Sequence, residues 1–149
     1  MKVSEILQVK GNGLYTVTPD TSMLDAVNIM AEKDIGSVVV MEFGELAGML
    51  TFREVMKTIH KNQGAVGLES VRKHMNDHPI TITPDTEINE VRRLMLERHA
   101  RYVPVMNAKT LLGVISFYDV AKAVLDAQGF ENKMLKAYIR DWPVEAEDE

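Results

Sequence analysis

The strongest constraint on this chain is that it repeats itself. Shifted by 65 positions, residues Tyr15–Lys57 lie on Ile80–Lys122 without a gap, and 15 of the 43 pairs are identical. Thr18-Pro-Asp-Thr21 falls on Thr83-Pro-Asp-Thr86, Val40-Met41 on Val105-Met106, and Gly48 on Gly113. Phe52 and Val55 fall on Phe117 and Val120. Apolar periodicity, glycines and a proline stop kept in one register describe a duplicated supersecondary unit whose copies bury a shared face. With two copies the expectation is a pseudo-symmetric pair packed sheet to sheet, with clefts between the halves.

The informative part of the unit is its end, Leu111 to Val120 and its twin Leu46 to Val55. An apolar run reaches Ser116, and a new spacing begins at Phe117 and continues through Val120, Ala121 and Val124. That change of period reads as a strand passing directly into a helix. The first N–H groups of that helix lack internal partners and its dipole is positive there. A serine and a carboxylate three residues apart, Ser116 and Asp119, can cap such an end. They can equally face a ligand that carries hydroxyls and phosphate.

The rest of the unit follows. Val3 to Gln8 reads as one or two helical turns, and Gly11-Asn12-Gly13 as a turn. Leu14 to Val17 reads as a strand stopped by Thr18-Pro19. Ser22 or Thr21 caps a helix with Met23, Ala26, Val27, Met30 and Ala31 on one face. Ser37 to Met41 lacks polar alternation and is expected to be buried on both sides. A helix from Phe52 is expected to turn Phe52, Val55, Met56 and Ile59 inward. The second copy gives a short helical piece at Val71–Met75, a strand at Ile80–Ile82, and a helix with Ile88, Val91, Leu94 and Met95 inward. Strands at Tyr102–Met106 and Leu111–Ile115 and a long helix from Phe117 complete it. The units are 1–64 and 65–126. A helical extension over 127–142, with Phe130, Met134, Leu135, Tyr138 and Ile139 on one stripe, and an acidic, disordered 143–149 are expected to follow. The fold class is α/β (α+β), two βαββα units.

Bulk chemistry excludes several functions. A net charge of −5 argues against a general nucleic-acid binder, which needs a basic face. The absence of cysteine removes disulfides, thiol catalysis and cysteine-ligated zinc. No apolar run reaches membrane length and no apolar signal core follows Lys2, so the cytoplasm is the expected compartment. His74 and His78 could share a helix face, yet no third metal ligand accompanies them. The ten methionines sit at helical spacing as core filler. No nucleophile stands beside a base and no glycine-rich phosphate loop occurs, so no catalytic residues are expected.

A repeated unit with Thr-Val-Thr-Pro-Asp-Thr before its first long helix, Val103-Pro104-Val105 in its central strand, and Gly-x-x-[Ser/Thr]-x-x-[Asp/Asn] across its last junction resembles the CBS domain. The two copies together resemble a CBS pair, or Bateman module, of the small stand-alone kind. The resemblance covers Val3 to about Val124, and the last motif reads Gly48-Met-Leu-Thr51-Phe-Arg-Glu54 and Gly113-Val-Ile-Ser116-Phe-Tyr-Asp119. It implies a regulatory, non-catalytic module binding an adenosine-containing ligand (AMP, ADP, ATP, NAD or S-adenosylmethionine) between the repeats. It implies that Asp119 takes the ribose hydroxyls, that Ser116 and Thr83 lie near ribose or phosphate, that Tyr102 and Val103 before Pro104 face the base, and that Arg101 meets phosphate. In the first copy Thr18 and Thr51 match, Arg53 can reach phosphate, and Glu54 replaces the aspartate. The Asp119 site is therefore expected to be the occupied or tighter one. A homodimer and an unknown regulated protein are the implied partners. A structural dimerisation module with vestigial sites is the alternative.

Overall fold

The computed structural model describes residues 1–10 and 14–127. The expected turn at 11–13, the helical extension at 127–142 and the acidic tail at 143–149 lie outside the described residues, apart from the end of the last helix. The first unit comprises β1 (Thr16–Val17), α2 (Met23–Lys33), β2 (Ser37–Glu42), β3 (Glu45–Thr51) and α3 (Phe52–Lys61), preceded by α1 (Val3–Lys10). The second opens with a 3₁₀ turn at Val71–Lys73. It continues through α4 (Ile88–Arg98), β4 (Tyr102–Asn107), β5 (Thr110–Ser116) and α5 (Phe117–Ala127). This is a mixed α/β chain of two repeated units.

Local chemistry accounts for the boundaries. Ser22 caps α2 by accepting from the Asp25 N–H at 3.1 Å. The helix ends at Asp34, which takes the left-handed conformation at φ 54°. Phe43 and Gly44, at φ 53° and 78°, make the two-residue β2–β3 turn, whose backbone twist suits a tight hairpin. Each antiparallel pair carries the same irregularity, a register shift after Val40 and again after Val105. That extra residue bends the hairpin at equivalent places in both units.

The units differ at their first strand for a definable reason. In the first, β1 runs parallel to β2, and the Val39 N–H donates to the Tyr15 carbonyl at 3.3 Å. Position 39 corresponds to Pro104, which has no N–H to give. The strand expected over Ile80–Ile82 is accordingly reduced to a single bridge between Ile82 and Val105. It is held by Ile82 N–H to Pro104 O at 3.1 Å and Met106 N–H to Ile82 O at 2.8 Å.

Two apolar cores form, and they exchange segments. Val3 and Ile6 of α1 pack with Ile82, Val91, Met95, Val103 and Ile115 of the second unit. Val71, from the 3₁₀ turn, packs with Met23, Met30, Val38 and Leu50 of the first. The backbone bonds are matched. Val3 and Ser4 N–H groups donate to Thr86 and Pro84 carbonyls, both at 3.0 Å, and Val71 and Arg72 donate to Thr21 and Pro19 at 2.8 and 3.0 Å. Each Thr-Pro-Asp-Thr stop is thus a socket for the segment that precedes the other unit's first strand.

One expected face is corrected. Phe52 and Met56 of α3 are 58% and 66% exposed, and Val55 is half-buried against the first core. The helix leaves β3 without a loop, so its first turn overhangs the edge of the core. The buried residue on α3 is Thr58, whose hydroxyl donates to the Glu54 carbonyl at 2.8 Å.

Candidate functional site

Each strand-to-helix junction builds a capped helix N-terminus, but the twins are wired differently. At α3, Glu54 Oε1 accepts the Thr51 N–H at 2.8 Å and the Thr51 hydroxyl at 2.7 Å, a capping box closed within its own turn. At α5, Asp119 Oδ2 accepts the Ser116 N–H at 2.9 Å and Ser116 Oγ accepts the Asp119 N–H at 3.1 Å. Asp119 also receives a cation from outside the turn, the Lys10 ammonium at 2.7 Å. The shorter aspartate leaves its oxygen open to α1, whereas the longer glutamate folds onto Thr51.

The N-terminal half of α3 faces the start of β4, and between them lies a cleft of about 760 Å³. One wall is Thr51 to Met56; the other is His78 to Ile80 and Arg98 to Tyr102. The volume falls within the usual range for small-molecule sites, about 300–1,000 Å³. Arg53 crosses it, donating from its guanidinium to the His99 carbonyl at the end of α4. Phe52 and Tyr102 bring aromatic surface, and Tyr102 reaches far enough to fill the space over Gly36. A pocket with guanidinium groups, aromatic rings and a carboxylate at a helix N-terminus is chemically suited to an anionic ligand with a flat ring.

The structure brings together Thr51, Arg53, Glu54, Arg101 and Tyr102. The backbones of Arg101 and Tyr102 adjoin the Asp119 junction. Phe117 N–H donates to Arg101 O at 2.8 Å, and Tyr102 pairs with Ser116 across the strands. Their side chains line the cleft of Glu54, in the other unit. Val103 and Pro104 are buried in β4. Thr83 and Thr18 hold the sockets, their hydroxyls 3.2 Å from Thr86 and 3.1 Å from Thr21, and neither lines the cleft.

Residues the sequence did not single out for this site are Lys10, Arg98 and His99, and Phe52 and His78 in the role of cleft walls. The repeat register marks equivalent positions, not which unit faces which, so the crossing of walls left no signal along the chain. Among the described residues no group of three or more metal-ligating side chains occurs, and no helix is long and apolar enough to cross a membrane.

Comparison with known proteins gives a consistent answer. The CBS domain family model matches residues 3–61 and 69–126. The mitochondrial CBS domain-containing protein CBSX3 of Arabidopsis thaliana is 31% identical over 148 residues, covering 93% of this chain and 71% of that one. A CBS-domain containing protein from Agrobacterium tumefaciens is similar in structure, with a TM-score of 0.77 and 32% identity over 83% of this chain and 98% of that one. CBSX2, solved in complex with AMP, has a TM-score of 0.67 and 26% identity over 85% of this chain and 98% of its own. The duplicated unit, the exchanged segments and these likenesses agree: the chain belongs to the CBS domain family and carries two CBS domains.

Proposed function

We propose that the protein is a non-catalytic regulatory module that binds an adenosine-containing nucleotide in clefts between its two CBS domains. The observation that carries this reading is the cleft at the α3 N-terminus, where Arg53 and Arg101, aromatic Phe52 and Tyr102, and the Thr51–Glu54 cap meet. The AMP complex of CBSX2 supports the ligand class. The rings offer a surface for adenine, and a carboxylate accepts vicinal ribose hydroxyls through charge-assisted bonds. Asp119 and Ser116 offer the same chemistry at the second junction. AMP, ATP or NAD are the ligands proposed, with no catalytic cofactor. Ligand that prefers one relative packing of the two units shifts that equilibrium. A regulated protein, a homodimer and a cytoplasmic setting complete the proposal.

The second reading, a dimerisation module with vestigial sites, is favoured by one observation. Both motif carboxylates have internal partners, Glu54 with Thr51 and Asp119 with Lys10. Thermal shift with AMP, ATP, NAD and S-adenosylmethionine separates the two. A ligand of the folded state at about 100 times its Kd adds about 2.7 kcal/mol. A rise in melting temperature with any of them supports the module; none at millimolar concentration supports the vestigial reading.

A further inference from the structure

We propose that the cleft at the α3 N-terminus is built for a nucleoside carrying two or more linked phosphates, and that it disfavours S-adenosylmethionine. The inference rests on the reading of this cleft as a nucleotide site and narrows its ligand class. Three arginines line the cleft, Arg53, Arg98 and Arg101, against one acidic residue, Glu54. Among the described residues none of the three is ion-paired, while Arg72 holds Asp20 and Glu42, and Arg93 holds Glu90 and Glu97. This occurs in a chain with 22 acidic and 17 basic residues. A cluster of three arginines against a single carboxylate around one cavity, in an acidic protein, leaves a local positive field for a multiply charged anion. Each planar guanidinium can grip a phosphate with two parallel bonds, and the three arginines stand on both walls of the cleft, so a run of linked phosphates presents charge to both walls at once.

The surrounding fields point the same way. The N-terminus of α3 adds positive potential beside Thr51. The carbonyl end of α4 opposes an anion, and Arg53 offsets it by donating to the His99 carbonyl. Glu54 is turned onto Thr51 through Oε1, away from the arginines' share of the work. S-adenosylmethionine would bring a sulfonium and an ammonium into this field, and adenosine would leave the arginines unused.

Calorimetry of the full chain without divalent cations tests this with ATP, AMP, adenosine and S-adenosylmethionine as probes. ATP is expected to bind at least about tenfold tighter than adenosine, with AMP between them and S-adenosylmethionine weaker than ATP. Arg98→Gln and Arg101→Gln are each expected to weaken ATP about fivefold or more while leaving adenosine within about twofold. AMP, adenosine or S-adenosylmethionine binding as tightly as ATP would overturn the inference and leave nucleotide binding standing, as would variants that weaken ATP and adenosine equally. Failure of all four probes to bind the wild type would overturn both.

Discussion

The Lys10 ammonium lies 2.7 Å from the Asp119 carboxylate, tying the last turn of α1 to the first turn of α5. The same ammonium donates to the Val114 carbonyl at 2.7 Å. A nucleotide using Asp119 for its ribose must share that carboxylate with Lys10 or displace it.

The pair is partly exposed, 38% at Lys10 and 18% at Asp119, so its direct contribution to stability is small, about 0.2–1 kcal/mol. Lys10→Met is expected to lower stability by no more than that in urea denaturation. Asp119→Ala is expected to weaken nucleotide binding by about tenfold or more through the lost charge-assisted bonds. Calorimetry showing unchanged affinity in Asp119→Ala would remove Asp119 from the ligand site.

The twin glycines differ in what surrounds them. A Cβ on Gly48 would stand 2.5 Å from the Asn76 carbonyl oxygen, beside the paired backbone bonds between Met49 and Asn76, both 2.9 Å. A Cβ on Gly113 would meet the end of the Leu7 side chain at 2.9 Å, which can turn aside. Gly48→Ala is therefore expected to cost about 1–3 kcal/mol, and Gly113→Ala to stay within about 1 kcal/mol of wild type. Thermal unfolding of the two variants compares them directly, and equal losses would contradict the packing described.

The exchange of segments makes the N-terminal helix part of the second unit. Ile6 is 8% exposed within that core. Ile6→Ala is expected to cost about 2–5 kcal/mol. Native-state hydrogen exchange should show protection falling first in β4 and β5, while β2 and β3 keep theirs. Loss confined to β2 and β3 would contradict the exchange.

Glu69 is held below its ordinary value of 4.5, first by its hydrogen bond to His74 and then by Lys73. A carboxyl with a lowered folded pKa adds stability that is complete above the unfolded value and is lost as pH falls through the folded one. Glu69→Gln is therefore expected to flatten the fall in melting temperature below about pH 4.5 relative to wild type. Parallel profiles for the two proteins would show that Glu69 makes no such contribution.

How much of this was legible along the chain follows from what kind of contact each feature uses. The junctions at Thr51 and Ser116 are local, made by residues three apart, and the change of apolar period exposes them. Pro104 likewise carries its own explanation once aligned with Val39. The docking of α1 on the Thr83–Thr86 turn and the facing of Arg101 toward Glu54 are long-range choices. Any periodic pattern is silent on them, because either unit could supply the opposite wall. Phe52 and Met56 misled for a related reason. Their spacing marks a helix face, and the same apolar face suits a core or a cleft.

Amide chemical-shift mapping during an ATP titration shows directly whether a nucleotide sits between the two CBS domains. Saturable shifts are expected at Thr51–Glu54, His78–Ile80 and His99–Tyr102, the walls of the cleft, and at Ser116–Asp119 of the second junction. Saturable binding whose shifts lie elsewhere, or no shifts at millimolar ATP, would contradict that placement.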